Sequence, residues 1–217
     1  MKKGTYRYFL NGNPIDISET FFIENRDDRV KFVCSIRESE TFKTKISVQA
    51  NLKNEEFHNC RIDYFSDRIN LCATYDFSRI KLRFSRKEQG KPIYTKKFAL
   101  HEKAVFFPLM RCFQGQTILQ VAENQDFTTV IVPDIENPND FENLLKPTFD
   151  KRTAKFLKKE TICFYQPESV AFEANLYQYL SKHYKENSQF WLNEEGFLVA
   201  YRFHQADDKI WEVQLQK

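Results

Sequence analysis

The chain has 217 residues, and its 33 Lys plus Arg against 30 Asp plus Glu leave a charge of only +3, too weak a field to mark a nucleic-acid binder. Its composition, 41% apolar and 16% aromatic with 22 Phe, supplies bulk for a large core and a surplus of rigid aromatic surface that a lined cavity would use. Cys34, Cys60, Cys72, Cys112 and Cys163 are odd in number and widely spaced, without C-x-x-C or a His at ligand spacing. They read as reduced small hydrophobes, which excludes a disulfide framework and a metal centre; no cofactor is expected.

Thr5 to Leu10 reads as a strand, and Asn11-Gly12-Asn13-Pro14 supplies a turn. With only five glycines in the chain, Asn and Asp must make most turns. Pro14 to Glu24 returns, and Asn25 to Asp28 turns again. Val30, Phe32, Cys34 and Ile36 then share one strand face, and Lys31, Ser35 and Arg37 the other. Phe42, Thr44, Ile46, Val48, Ala50 and Leu52 alternate without a break against polar residues, the pattern of an antiparallel strand buried on one face. In Phe57 to Phe65, Cys60, Ile62 and Tyr64 share a face, with Phe57 and Phe65 on the other. Leu71, Ala73, Tyr75 and Phe77 follow, then Ile80, Leu82 and Phe84, a charged tip over Arg86 to Pro92, and Ile93 to Leu100. So many consecutive strands joined by short polar turns imply an antiparallel sheet that curls or closes.

His101 to Val121 breaks the rhythm. Phe106, Leu109, Met110 and Phe113 fall at helical spacing, with Pro108 in the early turns and Gly115 as a stop, so an amphipathic helix inserted in the curve of the sheet is expected. Thr117 to Glu123 and Phe127 to Pro133 then read as a hairpin around Asn124-Gln125-Asp126. Pro138 to Pro147 reads as a short second helix using Phe141, Leu144 and Leu145. Thr153 to Tyr165 is a weaker strand with a bulge or tip near Lys158-Lys159-Glu160. Val170 to Tyr184 reads as strand, a helix being the alternative. Phe190 to Leu192, a turn at Asn193 to Gly196, Phe197 to Phe203, a turn at Ala206 to Asp208, and Trp211 to Leu215 close the sheet. The fold expected is mainly β: one domain over 1–217, an antiparallel half-barrel (open barrel) with one inserted amphipathic helix and a short second one.

Three stretches carry a resemblance. FWLNEEGFLVAYRFHQADDKIWEV, FFPLMRCFQGQTILQV and VPDI at Val132 to Ile135 resemble, respectively, the closing hairpin, the internal helix with its following strand, and the exit loop of the bacterial LolA/LolB-like half-barrel superfamily. That superfamily also holds glycolipid-binding bacterial families and a pigment-pathway enzyme, VioE, on the same scaffold. The resemblance implies a sheet wrapped around one helix, with an apolar groove between them that accepts acyl chains, lipids or other flat apolar molecules. No residue of the pigment enzyme's active site is carried over.

Phe106, Met110, Arg111, Phe113, Trp191, Tyr201 and Phe203 are the candidate ligand-binding residues. The apolar members would wall the groove, and Arg111 would meet a carboxylate or phosphate bidentately. Arg202 and His204 lie on the strand face opposite Tyr201 and Phe203, and which pair looks inward stays open. His58, His101, His183 and His204 are too scattered for a metal, and no catalytic motif is present. Asp27-Asp28, Glu55-Glu56, Glu194-Glu195 and Asp207-Asp208 fall in turns, where carboxylates stay solvated. Lys43, Lys45, Arg79, Lys81 and Arg83 lie on the strand faces opposite the aromatics, again unlike a single-strand nucleic-acid binder. No run approaches the roughly 18 apolar residues of a membrane span, and the start lacks an apolar signal core. The chain as given is therefore expected to be cytoplasmic unless a signal has been removed. The function expected is binding or carrying a hydrophobic small molecule or lipid. A biosynthetic enzyme holding an apolar aromatic intermediate in the same groove and a protein-interaction module are the alternatives, and the oligomeric state is left open.

Overall fold

The computed structural model describes all residues except 28, 101–103, 125–126, 166–168, 185–186, 206–208 and 217. The expected turns at Asp28 and at Ala206 to Asp208, the hairpin tip at Gln125-Asp126, and His101 lie outside the described residues. Eight strands run in succession: β1 (Lys2–Leu10), β2 (Asn13–Asn25), β3 (Val30–Ser39), β4 (Thr44–Lys53), β5 (Glu56–Phe65), β6 (Asn70–Ser78), β7 (Lys81–Glu88) and β8 (Lys91–Ala99). After a two-residue strand, β9 (Val105–Phe106), come a 3₁₀ turn (Arg111–Phe113) and α1 (Gln114–Ala122). Then follow β10 (Thr128–Pro133), β11 (Pro147–Tyr165), β12 (Ser169–Leu180), β13 (Gln189–Leu192), β14 (Leu198–Gln205) and β15 (Lys209–Gln216).

All fifteen strands form one sheet in the order β8-β7-β6-β5-β4-β3-β2-β1-β15-β14-β13-β12-β11-β10-β9. Every neighbouring pair is antiparallel except β9 with β10. The sheet is curved and does not close, and the helical segment lies within its curve, so the expected half-barrel with an inserted helix is the observed architecture. The two halves meet across the interior. Phe57 of β5 and Phe77 of β6 pack on Phe106 of β9 at ring distances of 5.2 and 4.9 Å, and Phe98 of β8 meets Phe149 of β11 at 5.6 Å.

Three local expectations need correction. The helix is displaced: Phe106 is in β9, Leu109 has φ +68, Met110 is extended, and helical structure begins only at Arg111. The spacing of Phe106, Leu109, Met110 and Phe113 mimics a helical stripe, but all four are buried because the whole segment is threaded through the core. Thr117 to Ala122 is therefore helix and not strand, with Glu123 as its C-cap, and Gly115 is the second residue of α1 and not its stop. Residues 138–145 make successive turns where a second helix was expected; Leu144 and Leu145 are buried, as an apolar face would be. Phe57 returns to the inner face because a bulge opposite Asn51 and Leu52 adds a residue, His58, between it and Cys60.

The strand alternations hold elsewhere with exceptions: β3 turns a polar face inward, Phe42 and Ile80 lie exposed in turns, and the tip expected over Arg86 to Pro92 is strand apart from Gln89 and Gly90, with Arg86 buried. The bulge expected near Lys158 lies between Phe156 and Lys158, and Val170 to Leu180 is strand. Of the cysteines, Cys60 and Cys112 are buried, Cys34 and Cys72 partly so, and Cys163 is exposed, all as free thiols.

Candidate functional site

Strand β3 inverts the usual polarity, and β2 carries one charge on an otherwise apolar inner face. Register places Val33, Ser35 and Arg37 opposite Ala50, Val48 and Ile46, which line the core. Ser35 and Arg37 therefore point inward, while Phe32, Cys34 and Ile36 form the outer face together with Phe22. On β2 Glu19 shares the inner face with Ile17 and Phe21 and is fully buried.

A charge in this position must be saturated with partners. Arg37 gives Glu19 two bonds, at 3.1 and 2.9 Å, and the Tyr8 hydroxyl donates at 3.0 Å. The other Glu19 oxygen accepts the backbone N–H groups of Arg111 and Cys112, and Ser35 donates to it at the outer limit of 3.5 Å. No neighbouring side chain caps the helical segment, so this carboxylate from β2 does so, satisfying orphan donors and complementing the helix dipole. Arg37 also donates to the carbonyl of Leu109, fixing the strained residue just before the helix. The network thus explains why the helix begins at Arg111.

Arg111 lies beside this network but outside its charge balance. Its guanidinium stands over the Tyr201 ring at 4.6 Å and the Tyr8 ring at 5.9 Å. It donates to Gln114 Oε1 at 2.9 Å and to the Tyr184 hydroxyl at 3.4 Å. Among the described residues no carboxylate pairs with it, and its Nε and the Nε2 of Gln114 are buried without acceptors. Across the interior, Arg152 is balanced by Asp150 at 2.9 Å and bonds the Tyr179 hydroxyl at 2.8 Å. Burial by itself would raise the Tyr184 phenol, but Arg111 and Arg152 outweigh it and hold the group below its ordinary value. Burial pushes Tyr201 and Tyr179 up to about 12, and it also raises the Cys112 thiol, which argues against a nucleophilic role for that cysteine.

Aromatic rings continue from this point to the end of the sheet where the β12–β13 and β14–β15 connections lie. Tyr179, Phe190 and Tyr201 are buried, whereas Tyr184, Phe203 and Trp211 are only partly covered. Tyr184 meets Phe203 at 5.6 Å, and Phe203 stacks on Trp211 at 6.5 Å. At the opposite end α1 is held between two turns. Gln116 donates to the carbonyl of Glu55 between β4 and β5, and Gly115 lies against Gly196 between β13 and β14.

The residues singled out from sequence separate into three groups. Arg111, Tyr201 and Phe203 come together at the aromatic end. Phe106, Met110 and Phe113 are buried in the core, Phe106 and Phe113 against the ring of Phe57. Trp191 departs from its expected place: it pairs in register with Ala200 and Leu176 on the outer face and donates to Glu160 at 2.8 Å. There it lines a groove of about 360 Å³ with Phe9, Ile162 and Phe164. Tyr201 and Phe203 are the inward pair, while Arg202 turns outward to Glu212 and His204 is exposed. Sequence reading missed Glu19, Arg37, Tyr8, Gln114 and Tyr184. A charged residue on the polar side of an alternating strand gives no local sign that this side faces inward.

No protein-family model and no curated protein matches the chain. A solved structure does resemble it: the crystal structure of a β-barrel-like protein of the domain of unknown function DUF1849 from Brucella abortus, with a TM-score of 0.54 over 99% of this chain and 95% of that one. Sequence identity is 10%, so the likeness is one of fold. The chain is a mainly-β, barrel-like protein with an open sheet. No helix among the described residues is long and apolar enough to cross a membrane, and among those residues no group of side chains is placed to hold a metal.

Proposed function

We propose that the protein binds a small hydrophobic or amphipathic molecule of lipid or acyl type, at the end of the half-barrel where Tyr184, Phe203 and Trp211 reach solvent. One observation carries the reading: an inner-face aromatic layer passes without interruption from fully buried rings to partly exposed ones. Rings left half covered at the mouth of a curved sheet offer apolar area that a ligand would remove from water. A LolA/LolB-type relationship, suggested by the closing hairpin and the internal segment, belongs to the same reading and supports an acyl ligand.

The two tryptophans make the test specific, since Trp211 is at the proposed mouth and Trp191 is on the outer face. Delipidated protein titrated with a fluorescent fatty-acid probe should show energy transfer from tryptophan that falls more in Trp211→Phe than in Trp191→Phe. Phe203→Ser should weaken uptake. Absence of uptake for every apolar probe tried would remove the proposal.

An enzymatic reading of the same place would rest on Tyr184, whose acidified phenol beside Arg111 suits proton transfer. Edge pairing with a partner has less support, because Lys91, Pro92, Lys96 and Lys97 blunt the free edge of β8.

A further inference from the structure

We propose that the molecule taken up at this end carries an acidic group, a carboxylate or a phosphate monoester, and that Arg111 and Gln114 hold it. The inference rests on the binding reading above and adds the charge of the ligand. Its basis is an inventory of donors and acceptors. The Arg37 guanidinium is paired with the buried carboxylate of Glu19, while the Arg111 guanidinium stands over the ring of Tyr8, which donates to that same carboxylate. The oxygens of Glu19 are already committed to Arg37, Tyr8, Ser35 and the two backbone N–H groups at the helix start.

Among the described residues Arg111 is left with neutral partners. The ring faces of Tyr201 and Tyr8 attract its charge but accept no in-plane hydrogen bond from Nε. Gln114 turns its oxygen toward Arg111, which leaves its own Nε2 buried and unanswered. Both missing partners are therefore acceptors, and the two donors belong to residues three apart in the same helical stretch. Buried donors without acceptors are costly, and a guanidinium is best met by a two-oxygen anion. A carboxylate or phosphate would answer both, while its apolar part lay along Phe203 and Trp211. The depressed Tyr184 phenol reflects the same excess of positive charge.

The test uses chain-matched ligands: dodecanoate, dodecyl phosphate and dodecanol, with acetate and inorganic phosphate as chainless anions, each titrated into the whole protein and read by Trp211 fluorescence and calorimetry. The two long-chain anions should bind about tenfold or more tighter than dodecanol. Arg111→Gln should collapse that preference, Arg111→Lys should retain part of it, and Gln114→Met should reduce it if Arg111→Gln fails to fold. Equal affinity for dodecanol and the long-chain anions, or a preference that persists in Arg111→Gln, would overturn the anion assignment while binding itself stood. If acetate or phosphate bound as tightly as its long-chain counterpart, the anion site would stand and the apolar part of the reading would fall. Binding by none of the five would remove both.

Discussion

A methyl group placed on Gly115 would stand 2.0 Å from the carbonyl oxygen of Gly196, a separation that no side-chain adjustment can relieve because the obstacle is backbone. The helix and the β13–β14 turn are thus in direct main-chain apposition, and Leu119 closes the same contact from the other side, against Gly196. Gly196 itself has φ +80, so the turn needs its glycine for conformation as well as for space.

Gly115→Ala gives opposite signs on the two views. Helix propensity alone predicts a gain of about 1 kcal/mol. The apposition predicts a loss of about 2–3 kcal/mol, from displacement of the helix. Urea unfolding of the variant decides between them, and a stabilised protein would show that the helix does not press on this turn.

The Glu19–Arg37 pair should behave as a buried ion pair. Arg37→Met leaves the carboxylate with too few donors and should cost about 3–5 kcal/mol. The double variant Glu19→Leu/Arg37→Met should cost less than the sum of the single changes, because no lone buried charge remains. Additive losses in a double-mutant cycle would contradict the coupling.

Alkaline stability should be limited by the buried tyrosines. Tyr179 and Tyr201 are raised from 10.0 to about 12, so the folded state binds their protons more tightly than the unfolded chain does. The stability they contribute is complete below pH 10 and is lost as pH rises toward 12, on the order of 2–3 kcal/mol for each. Tyr184 has the opposite sign: its depressed value adds stability once the phenol ionises, and that part is lost as pH falls back through it. Ultraviolet titration of the native protein should show one tyrosine ionising below its ordinary range, and Tyr184→Phe should abolish that step.

Arg86 should hold the 134–147 segment in place. Its Nη1 is bonded to the carbonyls of Phe141, Glu142 and Leu144 at 3.1, 2.7 and 2.6 Å, while Tyr75 donates to the carbonyl of Leu145, another leucine with positive φ. Arg86→Met should cost about 2–4 kcal/mol and raise amide exchange across 134–147 before the rest of the sheet. Uniform loss of protection would mean that the segment is secured by something else.

Much of the sheet was legible because strand alternation is a local property. Val48, Ala50 and Leu52, or Leu71, Ala73 and Tyr75, announce both a strand and its buried side within a few residues, and the structure buries them. The closing hairpin was legible for a similar reason: its Asn193-to-Gly196 turn is written in residues that make such turns, with Gly196 in the left-handed region.

The site was mostly not legible, and the helix start shows why. Phe106 to Phe113 has helical spacing, yet α-helix does not form there, because Pro108 and the φ +68 of Leu109 interrupt the backbone and the helix begins where Glu19 can cap it. That carboxylate lies 92 residues earlier in the chain. Likewise Ser35 and Arg37 read as an outward polar face until register with β4 turns them inward. The sequence by itself determined that this chain makes a long antiparallel sheet interrupted near its middle by a helical segment, since period and turn chemistry act over a few residues. Only the tertiary structure decided which face of β3 is inside, where the helix starts, and that no carboxylate among the described residues pairs with Arg111, because each depends on groups brought together from distant strands.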